Sequence, residues 1–436
     1  MLQPIIFIAI TAAAFWIAGR NFLKIRRNIL LGKDESITGD SSLRWRNVLL
    51  IAFGQKKMFD RWIPAIFHFF IYAAFLLTQV ELIEILIDGF TGSHRVIGSL
   101  LGWFYTFIIS FIEILSVLAF VATVVFLARR NILRLARFQK PEMKGWPTKD
   151  ANLILLGEIL LLTGIFSMNG ADQVLQSMGA EHYPQTGGFL VSSQLGPALF
   201  GGMGEGALRV IERFGWWLHI LVVYGFLVYL SISKHLHIIL AFPNTYFAKL
   251  TPKGEVANMP EIQREVASMM NPELAAPQPE VEVELSFGAN DVTKLSWKNL
   301  LDAYTCTECG RCTSVCPANL TGKKLSPRKI MMDVRDRLEE VGRNLDTNKS
   351  ATATDDGKTL FDYISREEIH ACTTCNACVE ACPVLINPLD IILQLRRHEI
   401  LMESAGPSDW LPLFNSLENS QAAWAVSTER DAWKNF

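Results

Sequence analysis

No cysteine lies outside two short runs, 306–316 and 372–382, which together hold all eight in the chain. That excludes a scaffold of structural disulfides, because no thiol is left to pair elsewhere. Charge is scarce too: Asp, Glu, Lys and Arg make up 19% of the residues against 50% hydrophobic, too little for one soluble globule of this length. Neither sign is in excess, with 41 basic and 43 acidic side chains, so no global basic field points to nucleic acid. Lys and Arg are missing altogether between Asn169 and Leu208. Alternation at period two is missing between the cysteine runs, which argues against strands there.

What the runs do contain is a spacing. Cys306, Cys309, Cys312 and Cys316-Pro317 follow C-x2-C-x2-C-x3-C-P, and Cys372, Cys375, Cys378 and Cys382-Pro383 repeat it. In that pattern three thiolates of a run bind one [4Fe–4S] cube and the fourth crosses to the other cube. The expected ligand sets are Cys306, Cys309, Cys312 with Cys382, and Cys372, Cys375, Cys378 with Cys316. A structural zinc site uses paired ligands, not two runs of four with a proline behind each. Eight thiolates of this kind also place residues 300–390 in a reducing compartment.

The apolar stretches divide the remainder into a membrane part. Five spans are expected: Pro4–Gly19, Trp62–Ile87, Val96–Ala128, Ala151–Met168 and Trp216–Phe242. Arg20, Lys24, Arg26 and Arg27 follow the first apolar run, whereas a cleaved secretory signal carries its positive charge ahead. Basic residues at Lys56, Lys57, Arg61, Arg129, Arg130 and Arg134 mark the inner loops, which puts the N-terminus outside and the cysteine runs in the cytoplasm. Residues 1–250 thus form a transmembrane domain in lipid. Residues 251–295 read as a linker with scattered prolines, 296–404 as a helical two-cluster domain, and 405–436 as a partner-docking tail rich in aromatics. Within the cluster domain, Ser326-Pro327 and Asn387-Pro388 read as helix starts, Ser365-x-x-Glu368 as a capping box, and Gly342 as a helix stop.

A ligating or ionisable side chain within a span signals function. His68 lies some six residues into the second span and His237 about five from the inner end of the fifth, at matching depths of roughly 9 Å. Two imidazoles at one depth on different helices suit a bis-histidine b-type haem. His219 precedes His237 by eighteen residues, five turns of a continuous helix, and would share its face; His235 would point about 200° away. A second haem on His219 stays open, since the matching place on the second span is Thr78; His94 and His182 could serve only from outer loops. Glu113 and Glu158 fit either proton delivery to a quinone or neutral helix–helix hydrogen bonds, while Glu81 and Glu84 are expected to snorkel outward.

With these residues in view, Trp216-Trp217-Leu-His219 and Ser233-Lys234-His235-Leu-His237 resemble the membrane domain of the heterodisulfide-reductase-related oxidoreductases. That domain in turn looks like the haem-bearing gamma subunit of respiratory nitrate reductase. Leu300-Leu-Asp302-Ala-Tyr304-Thr-Cys306 through Arg328, and Cys372 through Arg397, resemble the paired-cluster part of the same group. The chain also resembles the membrane-bound electron-transfer-flavoprotein:menaquinone oxidoreductases. The resemblance implies an all-α fold: a five-span transmembrane bundle followed by a cytoplasmic helical two-[4Fe–4S] ferredoxin domain, in a bacterial inner membrane. It further implies electron flow from a soluble donor through both clusters and haem b to menaquinone or ubiquinone. In that family a module with CCG motifs meets the donor. This sequence has no Cys-Cys pair: either the expected partner is a separate CCG-motif iron–sulfur protein, fed by electron-transfer flavoprotein or a similar donor, or the donor is different. Quinol-driven reduction of a disulfide or sulfur substrate on a partner is the alternative direction, and a purely structural membrane anchor the alternative class.

Overall fold

The computed structural model describes residues 2–252, 254–271, 287–348, 354–424 and 431–435. The fold is all-α, and among the described residues the sole β-type pairing is an isolated bridge between Lys33 and Ser296. Among the described residues, five helical segments are long and apolar enough to cross a membrane: Leu2–Ile29, Lys56–Thr91, Trp103–Asn131, Trp146–Ser177 and Glu205–Ile232. Several outrun the apolar stretch that announces them. Helix α1 (Leu2–Ile29) continues past Gly19 through its basic end, and α5 (Trp146–Ser177) extends about two and a half turns past Met168.

Elsewhere one expected span becomes two helices. The second divides at Thr78 into α2 (Trp62–Leu77) and α3 (Gln79–Thr91), which closes on Gly92 in the left-handed conformation, φ 75°. The third begins with a short turn, Val96–Leu101, then breaks at Gly102 (φ 55°) before α4 (Trp103–Asn131). The outer segment after Met168 carries a helix of its own, α6 (Ser192–Phe200). Glycine permits the closest contacts. A Cβ on Gly215 would lie 2.6 Å from the Met168 amide nitrogen, so α5 and α7 (Glu205–Tyr229) cross backbone to backbone, as small residues allow between helices in lipid.

The fifth span departs most from expectation. It does not run unbroken to Phe242: after Leu230–Ile232 the chain extends at Ser233 (φ −119°, ψ 152°) and restarts as α8 (His237–Tyr246). Asp150, buried on α5, organises the break by accepting hydrogen bonds from Tyr229 Oη at 2.6 Å, Ser233 Oγ at 2.7 Å and the Lys234 amide at 3.0 Å. Helical phase therefore does not carry from His219 to His237.

In the cysteine domain, the helix starts at Asn387 and at the Ser365–Glu368 capping box form as expected. Gly342 does not stop its helix; α9 (Pro327–Asn348) runs through it. The glycine is there for another reason, since a Cβ would meet the Asn28 side chain of α1 at 2.5 Å. Asn28 donates to Tyr304 Oη at 3.0 Å and Arg27 to the Gly342 carbonyl at 2.9 Å, tying α1 to the cysteine domain. Two departures concern residues 251–295. A helix spans Pro260–Met270, and Ala289, Val292 and Leu295 are fully buried in the core of the cysteine domain, which therefore begins by residue 287. Ile25 and Leu236 from the membrane part enter that same core.

Candidate redox centres and the junction between them

The two cysteine runs fold alike. Glu308 and Thr374, each just before the second cysteine of its run, both have φ 55°, and Gly310 (71°) and Asn376 (60°) follow those cysteines. Paired left-handed residues wrap each loop around a centre, and a short helix then presents the third and fourth cysteines. The local pattern is thus duplicated in geometry as well as in spacing. Cys316 leaves its own run and lines one pocket with Cys372, Cys375 and Cys378, walled by Leu325, Leu389 and Ile392. Conversely, Cys382 lies within electrostatic reach of Cys306, Cys309 and Cys312. Cys316 thus stands among the cysteines of the second run.

The chemistry of the donors suits iron. Burial pushes the thiols of Cys306, Cys378 and Cys382 up to about 12, so thiolates there need positive charge in their midst. The Thr374 amide donates to Cys372 Sγ at 3.4 Å and the Ile386 amide to Cys382 Sγ at 3.2 Å, bonds of the kind that tune a cluster. Among the described residues no three His, Cys, Asp or Glu side chains gather about a single metal position. A cubane places its four thiolates around the outside, one to each iron.

The set containing Cys306 faces the membrane part. Arg311 donates to the carbonyls of Lys57 at 3.1 Å and Met58 at 3.3 Å, and Arg61 donates to Ser314 Oγ at 2.7 Å. Glu308, buried within the first run, is held between Arg335 at 2.8 Å and Lys234 at the helix break. The other set looks outward, and its Cys375 is exposed.

Three histidines meet on the membrane side of this junction. His68 on α2 and His235 each lie within electrostatic reach of His237, and the His235 and His237 rings are 6.0 Å apart. The break at Ser233 thus brings together two residues that a continuous helix would hold apart. His68 Nδ1 sits 3.1 Å from Gln55 Oε1 and His237 Nδ1 2.9 Å from the Lys234 carbonyl, so neither Nε2 is used in these contacts. His235 Nδ1 is buried without a hydrogen-bond partner. His219 stays apart, buried at the α5–α7 crossing with Nδ1 3.3 Å from the Leu161 carbonyl. Thr78 returns its hydroxyl to the Phe75 carbonyl of its own helix at 3.2 Å.

Residues 305–386 match the family model of the 4Fe-4S dicluster domain. The chain is similar to iron–sulfur oxidoreductases and to part of a heterodisulfide reductase. Over 99% of its length it is 28% identical to the probable iron-sulfur-binding oxidoreductase FadF of Bacillus subtilis, covering 61% of that protein. It is 26% identical to the EtfAB:quinone oxidoreductase of Syntrophomonas wolfei, over 91% of this chain and 54% of that one. A quarter of the chain is 34% identical to one of the subunits of the ferredoxin/F(420)H(2)-dependent CoB-CoM heterodisulfide reductase of Methanosarcina acetivorans, covering 53% of it. The chain thus spans between half and two thirds of the length of these relatives. No solved structure matches.

The carboxylates expected in the spans sort differently. Glu113 is committed to structure, accepting from the amides of Val191 at 2.8 Å and Ser192 at 3.0 Å, so it caps α6. Glu158 is half-buried and has no hydrogen-bond partner among the described residues. Glu81 and Glu84 do not snorkel. Both are buried beside Arg95, in a polar network that sequence reasoning missed. The one signal for it was an isolated Arg in an outer turn with acids a helical turn apart upstream. His94 is drawn into that network, whereas His182 stays exposed.

Proposed function

We propose that this chain is the membrane electron-transfer part of a quinone oxidoreductase. It takes electrons from a soluble cytoplasmic partner and delivers them to menaquinone or ubiquinone. Two [4Fe–4S] clusters and a haem b would supply one-electron steps between a donor and a two-electron acceptor. Cys372, Cys375, Cys378 and Cys316 hold the entry cluster, because Cys375 is the exposed thiol. Cys306, Cys309, Cys312 and Cys382 hold the inner one. His68 and His237 would hold the haem, with His235 the competing ligand now that helical phase no longer sets it aside. A second haem would rest on His219. The partner is a CCG-motif iron–sulfur protein fed by electron-transfer flavoprotein or a similar donor, and the cluster domain lies on the cytoplasmic side of a bacterial inner membrane with the N-terminus outside.

The observation that carries this reading is the junction. Lys234 reaches Glu308 inside the first cysteine run, and its carbonyl accepts from His237, so one residue touches both centres. Likeness to part of a heterodisulfide reductase supports the reverse direction, quinol reducing a disulfide on a partner. Anaerobic stopped-flow spectroscopy decides between them. Haem reduced by reduced flavoprotein donor and reoxidised by quinone supports the forward reading; haem reduced only by quinol supports the reverse. A protein whose iron–sulfur centres stay redox-silent in both assays would be a structural anchor.

A further inference from the structure

Electrons enter at one end of this molecule, and a second polar centre lies at the other. The N-terminal end of α1 packs Phe7 against Gly89 and Phe90, next to this centre, while Asn28 near its C-terminal end binds Tyr304 of the cysteine domain. Twenty-one residues of helix separate Phe7 from Asn28, about 30 Å.

Arg95 stands at the middle of the far centre, 3% exposed. Its guanidinium faces Glu81 and Glu84 of α3 and Asp172 of α5, and its amide donates to Asp88 at 2.8 Å. All four carboxyls are buried. On the α7 side, buried Glu212 pairs with Arg213, and Tyr183 donates to Glu212 at 3.2 Å. Five carboxyls thus face two guanidiniums and one imidazole, His94. Glu113 of α4 adjoins them through Asn169, at 3.5 Å. Buried acids thus outnumber the cations beside them, an arrangement that is costly when every acid is charged.

The members are also connected. Arg95 donates to Asn169 Oδ1 at 2.5 Å and to Tyr105 Oη at 2.9 Å; Asn169 donates to Glu81 at 3.1 Å, and Tyr105 to Glu84. Toward the surface, His94 bridges Asp172 through Nε2 at 2.9 Å and Arg213 through Nδ1 at 3.2 Å. Arg213 is 32% exposed, so the hydrogen-bonded chain reaches the surface of the bundle. A clamp built only for stability would balance its charges. This one has surplus acids, a mid-path imidazole and an outlet.

We infer that the Arg95 centre is a proton-exchange site, carrying protons from the aqueous face at its end of the bundle to a quinone bound within it. The inference rests on the quinone reading above. In the balanced reaction the quinone accepts two electrons from the cysteine-domain side and two protons through this centre. Both carbonyl oxygens gain O–H bonds and the ring becomes the aromatic quinol.

The test uses the full protein in sealed vesicles, cysteine domain outward, with a pH-sensitive dye trapped inside, reduced methyl viologen outside and a menaquinone analogue in the bilayer. Wild-type protein should turn the interior alkaline as quinone is consumed. In Glu81→Gln, quinone reduction and interior alkalinisation should slow together by roughly tenfold to a hundredfold. The pH profile of the rate should move, and redox-difference infrared spectra should lose a protonated-carboxyl band, with cluster and haem spectra unchanged. If Glu81→Gln fails to assemble, His94→Gln at the rim gives the same readouts. Wild-type rates, pH profile and interior alkalinisation in the variant would overturn the inference, as would proton uptake on the cysteine-domain side. A wild-type protein that reduces no quinone would instead refute the functional reading, and the inference with it.

Discussion

Glu113→Gln separates a structural carboxylate from a proton carrier. The carboxylate accepts from two backbone amides at 2.8 and 3.0 Å and from the Ser192 hydroxyl. Both amides share Oε2, so glutamine can keep one oxygen on them while its amino group replaces Oε1 beside the Ser192 hydroxyl. Two charge-assisted bonds that become neutral lose about 1 kcal/mol each. One donor left without an acceptor costs a further ~1 kcal/mol, and removing negative charge from the N-terminus of α6 up to about 1 kcal/mol more. The expected loss is thus about 3–4 kcal/mol in the membrane part, read as a drop of several degrees in the thermal midpoint of the purified protein in detergent. Quinone reduction, assayed well below both midpoints, should stay within about twofold of wild type, because a residue that only positions α6 takes no part in proton transfer. An unchanged midpoint together with lost quinone reduction would refute the reasoning and make Glu113 a proton carrier.

Cys316→Ser should perturb the electron paramagnetic resonance signal of the cluster held by Cys372, Cys375 and Cys378; a change confined to the other cluster would contradict the crossed assignment. His68→Ala and His237→Ala should each abolish the low-spin haem spectrum while His235→Ala retains it, and full haem in His237→Ala would transfer the role to His235. Gly342→Ala should loosen the α1 contact by about 1–3 kcal/mol, because its Cβ would come within 2.5 Å of Asn28. Limited proteolysis around residues 30–40 should then be faster, and an unchanged cleavage rate would show that Asn28 simply moves aside. Deleting residues 408–436 removes the Trp410 ring from its 5.0 Å contact with His370 but no buried side chain among those described. Cluster and haem content should survive while partner copurification and donor-driven haem reduction are lost; lost clusters would make the tail part of the domain's own core.

What sequence determined here is what short-range chemistry determines. The cysteine spacing dictates two loops with the same left-handed residues, because three ligands within seven positions leave the backbone few ways to surround one centre. Apolar runs specify five spans, since a backbone in lipid must satisfy itself as helix. Caps at Ser365 and Asn387 were legible because their partners lie three residues away.

Everything the tertiary structure decided involves partners far along the chain. The break at Ser233 depends on Asp150, 83 positions earlier, and that break brings His235 beside His237. Gly342 reads as a stop until Asn28 occupies the space a Cβ would need. Glu81 and Glu84 look like snorkelling acids because the groups that offset the cost of burying them, Arg95, Tyr105 and Asn169, lie elsewhere in the chain, and Asn169 reaches Glu81 across 88 positions. Periodicity reports which face of a helix is apolar, but a buried charge is settled by what stands opposite it, and only packing brings that residue there.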